Sequence, residues 1–245
     1  MVRLKAAMHQ IHNEMDATYG KRRMLSELKD MGFTVGLEKV RRWMKKLNLV
    51  AKRPKLHRYP SGGLASVIAS NKLNRQFNPE QLNTYWSGDI TYIRTQQGWL
   101  YLAIIMDLCS RRVISWAFSD KPNSELTTRA LRLAVQKRRA CRNVVFHSDQ
   151  GCQYTSAAYQ SSLKEFGVES SMSRAGNCLD NAVTERFFRS LKSERVNYRR
   201  YETRRSKAIA DIIDYIEPFY NQKRKHQKLG NISPVQYEMN LLKSA

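Results

Sequence analysis

"YWSGDITYIRTQQGWLYLAIIMDLCSRRVISWAFSD", residues 85–120, decides the fold. It holds three strand-like runs, "YWSGDITYIRT", "GWLYLAIIMDLCS" and "RVISWAFSD", separated by turns too short for anything but antiparallel neighbours. The middle run is apolar on both faces, as a central strand must be. Downstream the pattern alternates: a helix over 124–140, a strand over 143–149, a helix over 156–166, a short strand near "VESSMS", and a long helix from 180 to about 199. Three antiparallel strands followed by this alternation predict an α/β domain, a mixed five-stranded sheet with flanking helices on both faces.

Upstream the texture is helical. Residues 4–17 have helical spacing, broken at Tyr19-Gly20, and "KRRMLSELKDM" at 21–31 predicts a second helix stopped by Gly32 in the C′ position. In a third, "LEKVRRWMKKLNL" at 37–49, Val40, Trp43, Met44 and Leu47 form a packing stripe. Lys39, Arg42 and Lys46, with Arg41 and Lys45 beside them, take the outward arc. Two short helices joined by "GFTVG", the second with a basic face, have the pattern of a helix-turn-helix; a merely solvated charged helix is the alternative. The expected organisation is a small N-terminal all-α DNA-binding domain at 1–58 and a linker at 59–83 marked by Pro60, Gly62, Gly63 and Pro79. An α/β core at 84–200 and a C-terminal helical extension at 201–245 complete it.

Charge narrows the partners. The 245 residues carry 43 Lys and Arg against 21 Asp and Glu, a net +22, which points to a polyanion such as nucleic acid. Residues 1–60 hold 15 of those cations against 5 acids, whereas 80–195 hold 16 against 11. The longest apolar run, "WLYLAIIM" at 99–106, is too short to span a bilayer, and the N-terminus has no secretory pattern. No membrane partner and a cytoplasmic, nucleoid-associated location are expected. Cys109, Cys141, Cys152 and Cys178 lie far apart without zinc-site spacing, so free thiols are expected, and His9 with His12 is at most half a metal site.

Three acids can meet. Asp89 lies in the first strand and Asp149 ends the fourth; in a mixed sheet these strands can be neighbours. Glu185, in "LDNAVTERFFRSLKSE", would come from the last helix of the core. At about 100° per residue, Asn181, Arg189 and Lys192 fall within about 40° of Glu185 and would face solvent or substrate with it, while Val183, Phe187 and Leu191 lie near the opposite arc and would anchor the helix. Asp180 is a candidate N-cap, and Lys192 is placed to hold a phosphate. Converging carboxylates need cations, and hard oxygen donors suit Mg²⁺ or its substitute Mn²⁺. Two such ions would clamp the oxygens of an in-line phosphoryl displacement, with the nucleic-acid backbone as substrate.

The segments "WSGDITYIRTQQGWLYLAIIMDLCSRRVISW", "HSDQGCQYTS" and "SRAGNCLDNAVTERFFRSLKSE" together resemble the catalytic core of bacterial insertion-sequence transposases of the OrfB type, within the retroviral-integrase superfamily and its RNase H-like fold. The 35 residues between Asp149 and Glu185 match that superfamily's DD(35)E spacing. "YGKRRMLSELKDMGFTVGLEKVRRWMKKLNL" is similar to the family's helix-turn-helix segment, and "FYNQKRKHQKLGNISPVQYE" resembles its closing signature. The resemblance implies that Asp89, Asp149 and Glu185 are catalytic metal ligands, that Lys192 is their associated basic residue, and that two ions serve each site. It implies nicking at an element's end to free a 3′-OH, then attack by that hydroxyl on another phosphodiester. It also implies partners: double-stranded DNA of terminal repeats and target, a homodimer or higher synaptic assembly, and an OrfA-type module from an upstream frame. Leu179 and Cys152 stand where relatives often carry an aromatic residue and a serine.

Other readings compete at single positions. "HSD" at 147–149 holds the residues of a serine hydrolase, but adjacent strand residues face opposite ways. Asp107 could be a fourth ligand or the ion-pair partner of Arg111. Arg224 and His226 could touch DNA or a helix terminus, and the Phe187–Phe188 pair reads as core rather than base stacking. For the whole chain, the alternatives are a DNA-binding protein that recognises element ends without catalysis, and an RNase H-like nuclease.

Overall fold

The structure is a computed structural model that describes residues 2–52, 68–139, 143–174 and 178–244. Three helices come first: α1 (Val2–Glu14), α2 (Lys21–Asp30) and α3 (Leu37–Lys46). They close on their own apolar cluster, in which Met8, Tyr19, Met24, Leu28 and Val40 are buried. Gly32 ends α2 with a left-handed φ of 82°, letting Phe33 N–H reach the Leu28 carbonyl at 2.8 Å. Asn48 does the same after α3, where Leu49 N–H donates to the Met44 carbonyl at 2.9 Å and Leu49 folds into the cluster. Each stop is therefore a hydrogen-bonded cap with an apolar latch.

Residues 53–58, at the end of the expected N-terminal domain, and residues 59–67 of the stretch read as a linker lie outside the described residues. Its later part runs along the sheet: Lys72 N–H donates to Ser171 Oγ at 2.9 Å and Leu73 is buried.

The sheet is five-stranded in the order β3 (Val113–Ser119), β2 (Gly98–Asp107), β1 (Tyr85–Thr95), β4 (Val145–Ser148), β5 (Glu169–Met172). β1, β2 and β3 pair antiparallel, and β4 and β5 add parallel strands beside β1. This is the expected mixed sheet, with the first and fourth strands adjacent. The two strand faces serve two cores. Trp86, Ala103, Ile105 and Phe146 face α4 (Ser124–Arg138) and α6 (Ala157–Glu165). Ile93, Leu102, Ile104 and Met106 face α7 (Ala182–Glu194) and the C-terminal segment.

Gly88 makes the first core possible, because a Cβ there would stand 2.4 Å from Phe146 Cζ. The residue before Asp89 must be small for the neighbouring strand's ring to cross it.

The expected boundaries shift in three places. The fourth strand stops at Ser148, so Asp149 stands one residue beyond it, and a short α5 (Cys152–Thr155) follows at once. The last core helix is shorter than expected, with 3-10 turns at Cys178–Asn181 and Val196–Tyr198 replacing its ends. The C-terminal extension is helical, but it is π-wound at Arg204–Ile209 and Tyr215–Asn221 on either side of α8 (Ala210–Asp214). Pro218 lies inside the second π turn, where its missing N–H and ring preclude a regular α ladder. α9 (Pro234–Ser244) closes the described chain, and Glu238 on it takes Arg112 and Arg138 as partners.

The three-helix unit is tied to the rest at one corner. Lys225 N–H donates to Tyr19 Oη at 2.8 Å, Lys52 Nζ donates to the Glu194 carbonyl at 3.0 Å, and Lys225 Nζ pairs with Glu27 at 3.2 Å. No described helix is long and apolar enough to cross a membrane.

Candidate active site

Strand register sets the first two acids. Ser87 pairs with His147 in the parallel β1–β4 ladder, and two residues further along each chain are Asp89 and Asp149. Asp89 sits on the α7 side of the sheet, sharing the face of Ser87 and Ile93, and Asp149, just beyond β4, is near enough to raise it. Asp89 is half-buried and accepts from its neighbour's Ile90 N–H at 2.7 Å. Asp149 is open to solvent on one side and accepts from Gly151 N–H at 3.0 Å. A Cβ on Gly151 would stand 2.9 Å from Asp149 Oδ1, so any larger residue there would make that carboxylate shift.

Glu185 arrives on the first turn of α7. Phe187, Phe188 and Leu191 are buried in the second core, and Phe187 packs edge-on against Tyr220 with ring centroids 4.7 Å apart. Each such buried side chain contributes about 1.5–3 kcal/mol, so packing can hold an acid against electrostatic resistance. Phe187 and Phe188 are thus core residues. Polar contacts fix the helix's start: Ser87 Oγ donates to Asn181 Oδ1 at 2.8 Å, and the Ser87 and Thr184 hydroxyls also meet.

These contacts correct two expectations. Asn181 does not face outward with Arg189; it is buried, donating Nδ2–H to the Gly88 carbonyl at 3.4 Å, because the Glu185 side of α7 lies against β1. Asp180 is not the N-cap, a position Asn181 occupies without a capping bond. Asp180 is instead fully buried and accepts from Arg75 Nε at 2.8 Å, Asn71 Nδ2 at 3.0 Å and Arg174 N–H at 3.1 Å; against the cost of burial, Arg75 and Arg174 hold its carboxyl below the usual range.

The electrostatics of the three acids are alike in direction. Burial, then Asp149, then Glu185 push Asp89 well above the carboxylate range; Ile90 N–H and Lys192 oppose them. Burial raises Asp149 against the Gly151 N–H bond, and burial with Asp149 beyond it raises Glu185 against the pull of Arg189. Lys192, half-buried, lays its ammonium 4.5 Å from the Tyr92 ring centre; desolvation lowers it and Asp89 pulls it back. Arg189 is exposed. Three mutually opposing carboxylates with a single adjacent ammonium form a hard-oxygen donor set short of positive charge, which fits divalent cations. Among the described residues, however, no three His, Cys, Asp or Glu groups are gathered closely enough to hold one ion.

The competing positions resolve locally. His147 is buried between Ser171 Oγ at 2.9 Å and Ser173 Oγ at 3.2 Å and pushed down to about 4 by burial, while Ser148 Oγ turns to the Asp149 carbonyl. No hydrolase triad exists there. Asp107 is no partner of the Arg111 guanidinium: it caps the β2–β3 turn, accepting from Asn83, Cys109 and Ser110 N–H groups, while Arg111 Nη2 donates to Phe77 O and Asn78 Oδ1. A buried carboxylate at a tight turn is answered by the nearest backbone donors. Arg224 is buried against Glu194, and His226 packs edge-on against Tyr220. Cys109 and Cys152 are free thiols; Cys141 lies outside the described residues. On α3, Lys39, Arg41, Arg42, Lys45 and Lys46 are all solvent-facing, and half-buried Trp43 carries Lys5 and Lys46 over its ring. The polar pair Ser87–Thr184 escaped the sequence; its signal is Thr184 on the inward arc one residue before Glu185.

Comparison with known proteins agrees with this layout. Residues 2–57 match an HTH-like domain, and residues 79–178 and 185–242 match two integrase core domain families. The chain is 39% identical to the insertion element IS600 uncharacterized 31 kDa protein of Shigella sonnei, covering 96% of this chain and 86% of that one. It is 39% identical to transposase InsF for insertion sequence IS3A of Escherichia coli, over 90% and 76%, and 38% identical to the transposase for insertion sequence element IS904 of Lactococcus lactis, over 96% and 92%. Its fold resembles a chain of a simian T-cell lymphotropic virus intasome, with a TM-score of 0.53 at 15% identity, over 94% of this chain and 73% of that one. A helix-turn-helix-like unit joined to an integrase core, with such relatives along nearly its whole length, establishes that the chain belongs to the insertion-sequence transposases, DNA transposases of the DDE polynucleotidyl-transferase type.

Proposed function

We propose that Asp89, Asp149 and Glu185 are the catalytic carboxylates of this transposase and hold two Mg²⁺ ions, with Mn²⁺ as a substitute. The observation that supports this reading is the β1–β4 register, which pairs Ser87 with His147 two residues before Asp89 and Asp149, together with the proximity by which Asp149 and Glu185 both raise Asp89. Ions held by these acids would supply Lewis acidity and neutralise the charge that develops during phosphoryl transfer. The chain's own residues do the rest. β1 and α7, each anchored in a packed core, fix two acids, while Asp149 on its turn stays accessible to DNA. Lys192, braced on Tyr92, orients a non-bridging phosphate oxygen, and Arg189 extends that contact outward. In the first transfer, water attacks the phosphorus at the element's end and the bond to O3′ breaks, freeing a 3′-OH. In the second, that hydroxyl attacks another phosphodiester and displaces its 3′ oxygen. The exposed cations of α3 hold double-stranded DNA, and two or more copies bring the element's ends together.

The test incubates labelled element-end DNA with the protein and Mg²⁺ or Mn²⁺. Nicked and joined products that vanish in Asp149→Ala, while DNA retention persists, are expected. Retention by the wild type with no nicking in either metal would replace this reading with that of a DNA-binding protein, and nicking without joining would favour a nuclease.

A further inference from the structure

A cavity of about 660 Å³ opens where four distant parts of the chain meet, within the size range of roughly 300–1,000 Å³ of small-ligand sites. Arg23 reaches it from α2, Arg111 from the β2–β3 turn, Arg186 from α7, and Arg224, His226 and Lys228 from the C-terminal segment. Among the described residues no Asp or Glu lines it, and the three carboxylates of the candidate active site lie outside it. Behind the wall, Glu194 answers Arg224 through a two-nitrogen contact and reaches Arg23 at 3.8 Å. No described carboxylate pairs with the buried Arg111: its Nη2 donates to the uncharged Phe77 carbonyl at 2.7 Å and Asn78 Oδ1 at 2.6 Å, and its Nη1 has no partner among the described residues. Nε2 of His226 has none there either.

Like charges gathered in a recess cost free energy, as do buried donors left unmade. Burial first, with Arg186 adding to it against Tyr220, Cys109 and Asp107, holds the Arg111 guanidinium below its ordinary value. Burial and then Arg224, Arg23 and Arg111 keep His226 well below its own. Native proteins leave few buried polar groups unmade unless water or an ion completes them. Donors of this kind suit an anion with several acceptor oxygens, and planar guanidinium forks suit phosphate.

We propose that this recess is a phosphate-binding site separate from the carboxylate site, with Arg111 and His226 at its wall and the exposed Arg186 and Lys228 at its rim. Its source is a phosphodiester of bound DNA or a free phosphate. Because Arg23 belongs to the three-helix unit and Arg186 follows Glu185 on α7, one bound phosphate ties that unit to the helix bearing the candidate catalytic acid. The site does not depend on what the three carboxylates do.

The full chain in chelator, where no strand chemistry can run, is melted in phosphate and in chloride at equal ionic strength. Its affinity for a short DNA duplex is measured across salt concentrations. A free-phosphate site predicts a melting temperature about 2–4 °C higher in phosphate, lost in an Arg186→Gln/Lys228→Gln double variant. A DNA-phosphodiester site predicts no such rise, but a log–log salt slope of DNA binding reduced by about one in the same variant. Both substituted residues are exposed, so the fold should tolerate them, and circular dichroism verifies it. Arg111→Lys, which keeps the charge but loses the fork, should weaken whichever effect is seen. Lys164→Gln/Lys243→Gln, which removes equal charge elsewhere, should leave both readouts as in the wild type. If neither phosphate nor the salt slope distinguishes the rim variant from that control, the site is overturned.

Discussion

Glu194, near the end of α7, and Arg224, in the C-terminal segment, form a buried ion pair in which both Glu194 oxygens are engaged, Oε2 by Arg224 Nε at 2.8 Å. Tyr215 Oη adds a bond to Glu194 at 2.6 Å, and Arg23 of α2 approaches it at 3.8 Å. One carboxylate thus joins the core helix, the C-terminal segment and the three-helix unit. Breaking a buried pair leaves its partner's charge uncompensated, which costs about 3–5 kcal/mol. Glu194→Gln is expected to lower unfolding stability by that amount in urea titration, and a loss below about 1 kcal/mol would show the pair to be dispensable.

Gly88 is constrained by its neighbour across the sheet. Gly88→Ala forces a methyl against the Phe146 ring and should cost about 1–3 kcal/mol as overpacking. Phe146→Leu alone leaves a cavity, but combined with Gly88→Ala it should recover part of the loss. A double-mutant cycle read by denaturant midpoints tests this, and strict additivity would show that the ring is not the obstacle.

Stability should fall on mild acidification because of His226. Its folded value lies well below 6.5, chiefly through burial, so between that value and 6.5 the unfolded chain binds a proton that the folded chain refuses. The sign is fixed: the contribution is complete above about pH 6.5 and is lost progressively as pH falls toward the folded value. Urea unfolding at pH 7.5 and 5.5 in phosphate-free buffer should show this loss in the wild type and less of it in His226→Gln. An equal loss in both proteins would remove His226 as its source.

The face of α3 should act on DNA without acting on the fold. Arg42 and Lys45 are exposed, so Arg42→Ala and Lys45→Ala should change stability by less than about 0.5 kcal/mol. Removing one cation that neutralises a DNA phosphate should reduce the salt slope of binding by about one. Unchanged slopes in both variants would place the DNA on another surface.

The sheet was legible from residues 85–120 because strand alternation and short turns are local properties, and the neighbouring of β1 and β4 followed from element order. The stops at Gly32 and the basic arc of α3 were legible for the same reason. The nomination of Asp89, Asp149 and Glu185 rests on order and spacing. What stands around them could not be read locally. Asn181 precedes α7 as its N-cap and is buried against β1, so the outward direction expected for it was wrong: only the docking of α7 on β1 decides where it turns. Asp107 has two arginines close by in sequence, yet the backbone N–H groups of its own turn outcompete them.

The sequence by itself determined the order of elements, the polyanion-seeking charge and the residue types available to a phosphoryl-transfer site, because propensity, periodicity and charge act over a few residues. Only the tertiary structure decided which acids oppose one another, where Asn181 and Asp180 turn, and that Arg23, Arg111, Arg186 and Arg224 share one recess. Those outcomes depend on packing between segments far apart in the chain. The energies that select them come from burial and charge compensation, which no local stretch contains.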